Sequence, residues 1–266
     1  RYTKVQANRR VKVEEEDRSA DFSPAAPQRF EEDLPRADLD ADELGAEGFE
    51  ERYEQAKGLF FRARDRDQTS GGPMKIRAAL LEQFGEPMQI RELDLAPPKA
   101  GEVLVKVHAC GVCHTDLYTW SGADPSGYTP TVLGHEGAGV VEEVGEGVTS
   151  LQPGDHVVTL FSPECGECDH CVSGKTNICM AIREQQGHGF LPDGTPRLSM
   201  DGEPIRHFMG TSTFAEYTVM PEIALAKVDR TAPLDKICTL ACGATTGLAA
   251  ALYKAEVEPG STCAVF

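Results

Sequence analysis

Cys165, Cys168, Cys171 and Cys179 lie in one stretch, C-G-E-C-D-H-C-V-S-G-K-T-N-I-C, with the spacing C-x2-C-x2-C-x7-C. Four thiols so close together, in a segment rich in Gly, Ser, Asp and Asn, are not expected to be core residues. Local chain geometry puts the sulfurs around one point, which is what a tetrahedral structural zinc site needs. Buried cysteines or disulfides are the plain alternative, but two C-x2-C steps back to back argue against it. An iron–sulfur cluster is the sharper alternative. The bacterial cluster-binding run is C-x2-C-x2-C-x3-C-P, whereas here the last gap is seven residues and Met180, not proline, follows Cys179. Zinc is favoured.

Charge narrows the partners. A net charge of −17 over 266 residues argues against nucleic acid, whose phosphates need a basic surface, and against anionic membranes. The remaining cysteines, Cys110, Cys113, Cys238, Cys242 and Cys263, sit in apolar or His-rich settings rather than in spread-out pairs. That usage reads as intracellular metal chemistry, with the cytoplasm as the expected compartment. No apolar stretch is long enough to span a bilayer, and the charged N-terminus is not a signal peptide.

Residues 1–73 differ from the rest. They carry acidic runs at Glu14–Asp17 and Asp38–Glu43 and hold no Cys, His or Trp. Such a segment buries little apolar surface and is expected to be disordered or only locally helical, with one charged helix over Glu50–Arg64. The character changes at Ser70-Gly71-Gly72-Pro73-Met74. Met74 looks like a natural start, so residues 1–73 are expected to be upstream read-through or a dispensable tail. From there short strands follow one another. Lys75–Leu81, Met88–Leu95, Val103–Ala109, Val140–Val144, His156–Leu160, Phe214–Met220 and Ala224–Val228 are separated by Gly- and Pro-containing turns. This suggests a compact barrel-like β domain. Leu234–Ala255 reads as helical, broken by glycines, and leads into S-T-C-A-V-F, a rising apolar run expected to be a buried parallel strand. A strand that ends the chain is expected of a fragment.

A second set of metal ligands is scattered. Cys113-His114-Thr115-Asp116 and Gly134-His135-Glu136 stand at the ends of expected strands, and Cys242 lies in the helical stretch. Cys113, His135 and Cys242 would make a Cys2His site with an open fourth position, the pattern of a catalytic zinc. Asp116 suits the role of fixing the His135 ring through its other nitrogen. By spacing alone, packed Cys and His side chains remain the alternative.

The motifs G-V-C-H-T-D, S-G-A-D-P, L-G-H-E-G-A-G, the four-cysteine lobe, G-T-S-T-F-A-E-Y-T-V, A-P-L-D-K-I-C and S-T-C-A-V-F stand in one order. In this, residues 74–266 resemble the zinc-dependent medium-chain alcohol dehydrogenases, specifically class III, the glutathione-dependent formaldehyde dehydrogenases. The resemblance implies a β-rich GroES-like catalytic domain of α+β class, leading into the first strand of a truncated Rossmann α/β domain. The implied boundaries are 1–73 for the extension, 74–233 for the catalytic domain with its zinc lobe at 163–180, and 234–266 for the connecting helix and first Rossmann strand. It also implies two zinc ions per subunit. Cys113, His135 and Cys242 would hold the catalytic one, and Cys165, Cys168, Cys171 and Cys179 the structural one.

Further roles are carried over in the same way. Glu136 is implied as a carboxylate that approaches the metal during ligand exchange, and Thr115 as the hydroxyl that takes the substrate proton. His114 would lie near the cofactor pyrophosphate and Thr246 near the nicotinamide. Asp124 and Arg183 would contact substrate, Arg183 by holding a carboxylate of glutathione. Two positions depart from or complicate the pattern. Ser126 stands where class III usually has Glu, and Tyr118 where many alcohol dehydrogenases have a relay His.

The implied reaction is oxidation of S-(hydroxymethyl)glutathione or a primary alcohol, with NAD as hydride acceptor, in a homodimer when full length. No G-x-G-x-x-G occurs in the chain; Gly137-Ala138-Gly139 and Gly187-His188-Gly189 lack the third glycine. The phosphate loop is therefore expected after Phe266, and the chain alone is expected to be inactive. The alternatives are a zinc dehydrogenase for simple or long-chain alcohols, or an inactive zinc-binding fragment.

Overall fold

The computed structural model describes residues 72–264 together with the short strand Gln6–Ala7. The expected tail and its helix over Glu50–Arg64 otherwise lie outside the described residues. The chain divides into two units, Phe61–Lys254 and, separately, Arg1–Phe60 with Ala255–Phe266.

The described residues of the larger unit form ten strands: β2 (Met74–Leu81), β3 (Gln89–Leu95), β4 (Glu102–Gly111), β5 (Thr131–Val132), β6 (Glu136–Val144), β7 (His156–Thr159), β8 (Leu198–Met200), β9 (Glu203–His207), β10 (Tyr217–Pro221) and β11 (Leu225–Val228). They form a closed barrel in the order β2-β3-β8-β9-β5 and a five-stranded sheet in the order β10-β4-β6-β7-β11. Each expected strand is present, within a few residues of its expected ends. β5 and β8 were not legible, being too short for a clear alternation, and β9 has Ile205 as its one buried apolar residue. Ile76, Leu80, Leu93, Leu95, Leu198 and Ile205 fill the barrel, joined by Leu104, Tyr217 and Val219 from the sheet. Val103, Val105, Val141, Val157 and Met220 form a second core within the sheet unit.

The pairing of β4 with β6 positions the site. The two strands are antiparallel, with Gly111 opposite Glu136. The end of one strand therefore lies beside the start of the other, and the residues just beyond, Cys113 and His135, meet. A third segment is brought to the same place by packing. Leu234, Cys238 and Ala241 bury against Ala109, Ala138 and Val158, which delivers Cys242.

That helical stretch corrects the sequence expectation. It is not broken at its glycines. It runs as α-helix Leu234–Ile237 and 3-10 turn Cys238–Ala241, then as α-helix Gly243–Ala249 with a final π turn Ala250–Lys254. The axis bends by 55° between Leu234–Ala241 and Gly243–Lys254. Cys242 is the residue at the bend, with φ −146° and ψ −73°. Among the described residues no single helix is long and apolar enough to cross a membrane.

In the smaller unit β1 (Gln6–Ala7) pairs antiparallel with β12 (Cys263–Ala264). The apolar run expected as a buried parallel strand is thus a short antiparallel one, with Cys263 exposed. Parallel pairing needs a neighbour reached by a crossover, and the described residues pair it with Gln6–Ala7.

A buried polar group ties barrel to sheet. Arg197, ahead of β8, donates from its guanidinium to Glu102 on β4 and to Asp193 (2.8 Å). Its backbone N–H donates to Nε2 of His207, at 3.0 Å. His207 is fully buried, and burial together with the Arg197 charge holds it down to about 3 from the ordinary 6.5. Between these values the unfolded chain binds a proton that the folded chain refuses, so this group removes stability as pH falls. Urea denaturation of the intact protein between pH 7 and pH 4 is expected to show the loss. A His207→Asn variant should have a shallower slope, by up to about 1.4 kcal/mol per pH unit.

Candidate metal centres

Cys113 is the N-cap of helix His114–Trp120, where its sulfur accepts from the backbone N–H of Thr115 at 3.5 Å. The helix was not foreseen; the sequence reading placed these residues in a loop after a strand. Asp116, in its first turn, is 3% exposed, and its carboxylate binds three groups. Its Oδ2 accepts from the backbone N–H of Cys113 (2.9 Å), and its Oδ1 from the backbone N–H of Gly134 (3.1 Å) and from Nδ1 of His135 (3.1 Å). Gly134 has φ +90°, and a Cβ there would lie 2.6 Å from the ring of Phe214. Only glycine allows the turn that places His135 ahead of β6. The carbonyl of His135 accepts from Thr159 on β7, at 3.0 Å.

With its Nδ1 directed at Asp116, His135 turns its other ring nitrogen to the thiols of Cys113 and Cys242, the side from which a metal would be held. Cys113, His135, Glu136 and Cys242 each offer a ligand atom, all within 4.8 Å of one another. The Cys113 and Cys242 sulfurs are 4.0 Å apart, against about 3.8 Å for two thiolates on a tetrahedral zinc at 2.3 Å. The donor set fits the ion. Electrostatics fit as well. Burial pushes His135 down, but Asp116 and the two thiols outweigh it and lift the imidazole to about 11. Its hydrogen bond to His135 holds the Cys113 thiol down to about 7, and Thr115 adds to this. Burial pushes Cys242 up. Without a metal these shifts favour a proton on the imidazole, whereas metal ligation needs the imidazole neutral and the thiols ionised.

The other expected site residues fall around this cluster. Thr115 Oγ1 is 3.5 Å from Cys113 Sγ. Thr246 donates its backbone N–H to the Cys242 carbonyl at 2.8 Å and is exposed, as is His114. Asp124 accepts from Thr119 Oγ1 (2.9 Å) and from the Ser126 hydroxyl (2.6 Å) and N–H (2.9 Å). These bonds hold its carboxyl below the usual range against the opposing effect of burial. Arg183 is exposed on helix Met180–Gly187. Among the described residues no hydrogen bond or ion pair joins Arg183 or Asp124 to the cluster. What the sequence reading missed is the bond from the Gly243 N–H to Glu136 Oε1, at 2.7 Å; no spacing rule announces a contact between residues so far apart.

The second cluster is local. Sulfur separations are 3.9 Å for Cys165–Cys171, 3.5 Å for Cys168–Cys171 and 3.9 Å for Cys168–Cys179. All nine cysteines are free, so no disulfide competes for the thiols. Cys165 Sγ accepts from the N–H groups of Glu167 (3.4 Å) and Cys168 (3.3 Å). Backbone donors from Cys171 hold Cys168 down to about 6. One expectation is corrected: these cysteines do form a core, though a private one. Cys171 and Cys179 are buried with Ile182, and Cys165 and Cys168 pack on them.

Residues 99–230 match the alcohol dehydrogenase GroES-like domain. Over 193 residues the chain is 58% identical to proteins named S-(hydroxymethyl)glutathione dehydrogenase from Escherichia coli O1:K1 / APEC and Shigella sonnei strain Ss046. The match covers 73% of this chain and 52% of each relative, so the chain spans about half their length. Among solved structures, an alcohol dehydrogenase zinc-binding domain protein from Burkholderia ambifaria matches with TM-score 0.66 and 38% identity, over 71% of this chain and 51% of that one. Benzyl alcohol dehydrogenase from Acinetobacter calcoaceticus matches with TM-score 0.64 and 35% identity, over 71% and 50%. Residues 99–230 are thus a GroES-like domain of the alcohol dehydrogenase type.

Proposed function

We propose that the whole protein oxidises S-(hydroxymethyl)glutathione, and with it primary alcohols, using zinc and NAD, as a homodimer in the cytoplasm. The observation that carries this is the meeting of Cys113, His135 and Cys242 from separate segments, within 4.8 Å and with Thr115 beside them. The relatives' names supply the substrate class. Three protein ligands leave a zinc position open, whereas the four-thiol lobe closes its own. The open cluster is therefore assigned the chemistry and the lobe the structural role.

Zinc bound by the trio would supply Lewis acidity to a substrate alcohol, and NAD a hydride acceptor. The chain's own residues do the rest. Asp116 orients His135 through Nδ1 and keeps it in place. Thr115 is within reach of the cluster and accepts the alcohol proton, passing it outward. His114 and Thr246, exposed on either side of the ligands, face the cofactor in this reading. Arg183 captures a glutathione carboxylate, for which a guanidinium fork is suited, and Asp124 contacts the same substrate.

Elemental analysis of the purified protein is expected to give two zinc ions per chain and no visible absorbance. Cys242→Ser and Cys168→Ser should each reduce this to one, and Cys168→Ser should also lower Tm, since that site staples the lobe. Iron with a brown colour would overturn the assignment.

Turnover of formaldehyde by the full-length enzyme is expected to depend on glutathione. Thr115→Val should lower kcat by about 10²- to 10⁴-fold. Arg183→Ala should raise KM for the glutathione adduct by about tenfold or more and leave simple alcohols unchanged. Preference for plain alcohols, with no response to glutathione, would overturn the substrate assignment.

A further inference from the structure

Three segments supply the ligands of the open cluster, and Asp116 braces only two of them. Its carboxylate bonds the backbone of Cys113 and the ring of His135. The third ligand, Cys242, lies at a break between helices, where φ −146° and ψ −73° leave the regular ladder. The peptide after it has its N–H directed away from its own helix, into the carboxylate of Glu136, at 2.7 Å. Glu136 is 4% exposed and is the residue next to His135.

The slot that receives this carboxylate is also built. Glu136 lies opposite Gly111 in the β4–β6 pair. A Cβ at Gly111 would fall 2.1 Å from Glu136 Oε2, and one at Gly243 would fall 3.1 Å from Oε1. A glycine on each side leaves room for the side chain in this rotamer, with Oε1 spent on Gly243. We propose that Glu136 is a positioning residue: by accepting the Gly243 N–H it pins the Cys242 turn against β6 and sets the third zinc ligand before metal arrives. It is the counterpart, for Cys242, of what Asp116 does for the other two.

This rests on the reading of Cys113, His135 and Cys242 as a zinc site, and differs from a role in which the carboxylate itself exchanges onto the metal. The two make opposite demands on variants. The hydrogen bond needs only an acceptor oxygen, which an amide provides; exchange onto zinc needs the charged carboxylate. The full-length protein would be loaded with zinc and challenged with a chelator, following release by a colorimetric zinc indicator and the metals retained by native mass spectrometry. The lobe zinc serves as internal reference for an intact fold. Glu136→Ala is expected to bind the second zinc 10- to 100-fold more weakly and to release it faster. Glu136→Gln should stay within about threefold of the parent. Gly111→Ala, which crowds the slot and leaves the carboxylate's charge, should resemble Glu136→Ala.

An unchanged second zinc in Glu136→Ala, or equal weakening in Glu136→Gln, would overturn the proposal. So would slower release in both variants, the result expected if exchange were the whole role. A parent protein that binds no zinc outside the lobe would instead overturn the underlying site.

Discussion

The carboxylate of Asp116 is the point on which the open cluster depends. It is buried, and a buried charge is tolerated only when its acceptor positions are filled. Cys113, Gly134 and His135 fill them. Each partner belongs to chain that would otherwise be free to move: a helix cap, a glycine turn and a ring at a strand's start. The same bonds that satisfy the charge therefore fix Cys113 and His135 in direction as well as in place. The charge is also returned to the site, since it outweighs burial at His135 and draws a proton there in the absence of metal. A zinc ion held by Cys113, His135 and Cys242 would meet a preset geometry there.

The two clusters reach the same kind of donor set by different physical routes. The lobe's cysteines lie within fifteen residues of one another, so closing the loop costs little chain entropy and short helices and N–H···S bonds suffice to aim the sulfurs. The open cluster joins Cys113 to Cys242 across more than half of the described chain. It exists only because β4 and β6 pair in one register and because Leu234, Cys238 and Ala241 pack on them. A local cluster is aimed by its own loop, whereas an assembled one inherits its precision from the sheet beneath it.

That difference decides what could be read in the chain. The lobe was legible because its geometry is written in spacing alone. Strands β2, β3, β4, β6 and β7 were legible because period-two patterns between Gly and Pro turns report a pleated surface with one face buried. Cys113, His135 and Cys242 could be offered as candidates from their residue types and strand-end places, but only a resemblance set them above packed side chains, since no local pattern says that residues so distant will meet. The bend at Cys242 was misplaced onto the glycines. Propensity marks glycine as the helix breaker, but here packing of the first half and the bond to Glu136 set the break one residue earlier. β5, β8 and β9 are short strands whose partners, not their own residues, define them.

The barrel and the sheet are not independent supports for this site. Arg197 reaches from the barrel side to Glu102, the first residue of β4, while the last residue of β4 is Gly111, opposite Glu136. One strand thus carries the buried ion pair at one end and the ligand-bracing slot at the other. Breaking a buried pair by removing one member costs about 3–5 kcal/mol because a charge is left without a partner. Loss of the pair would loosen the strand that sets the register on which Cys113 and His135 meet. Glu102 and Glu136, two of the polar groups that this fold buries, thus lie on one strand pair and hold their partners Arg197 and Gly243 against it.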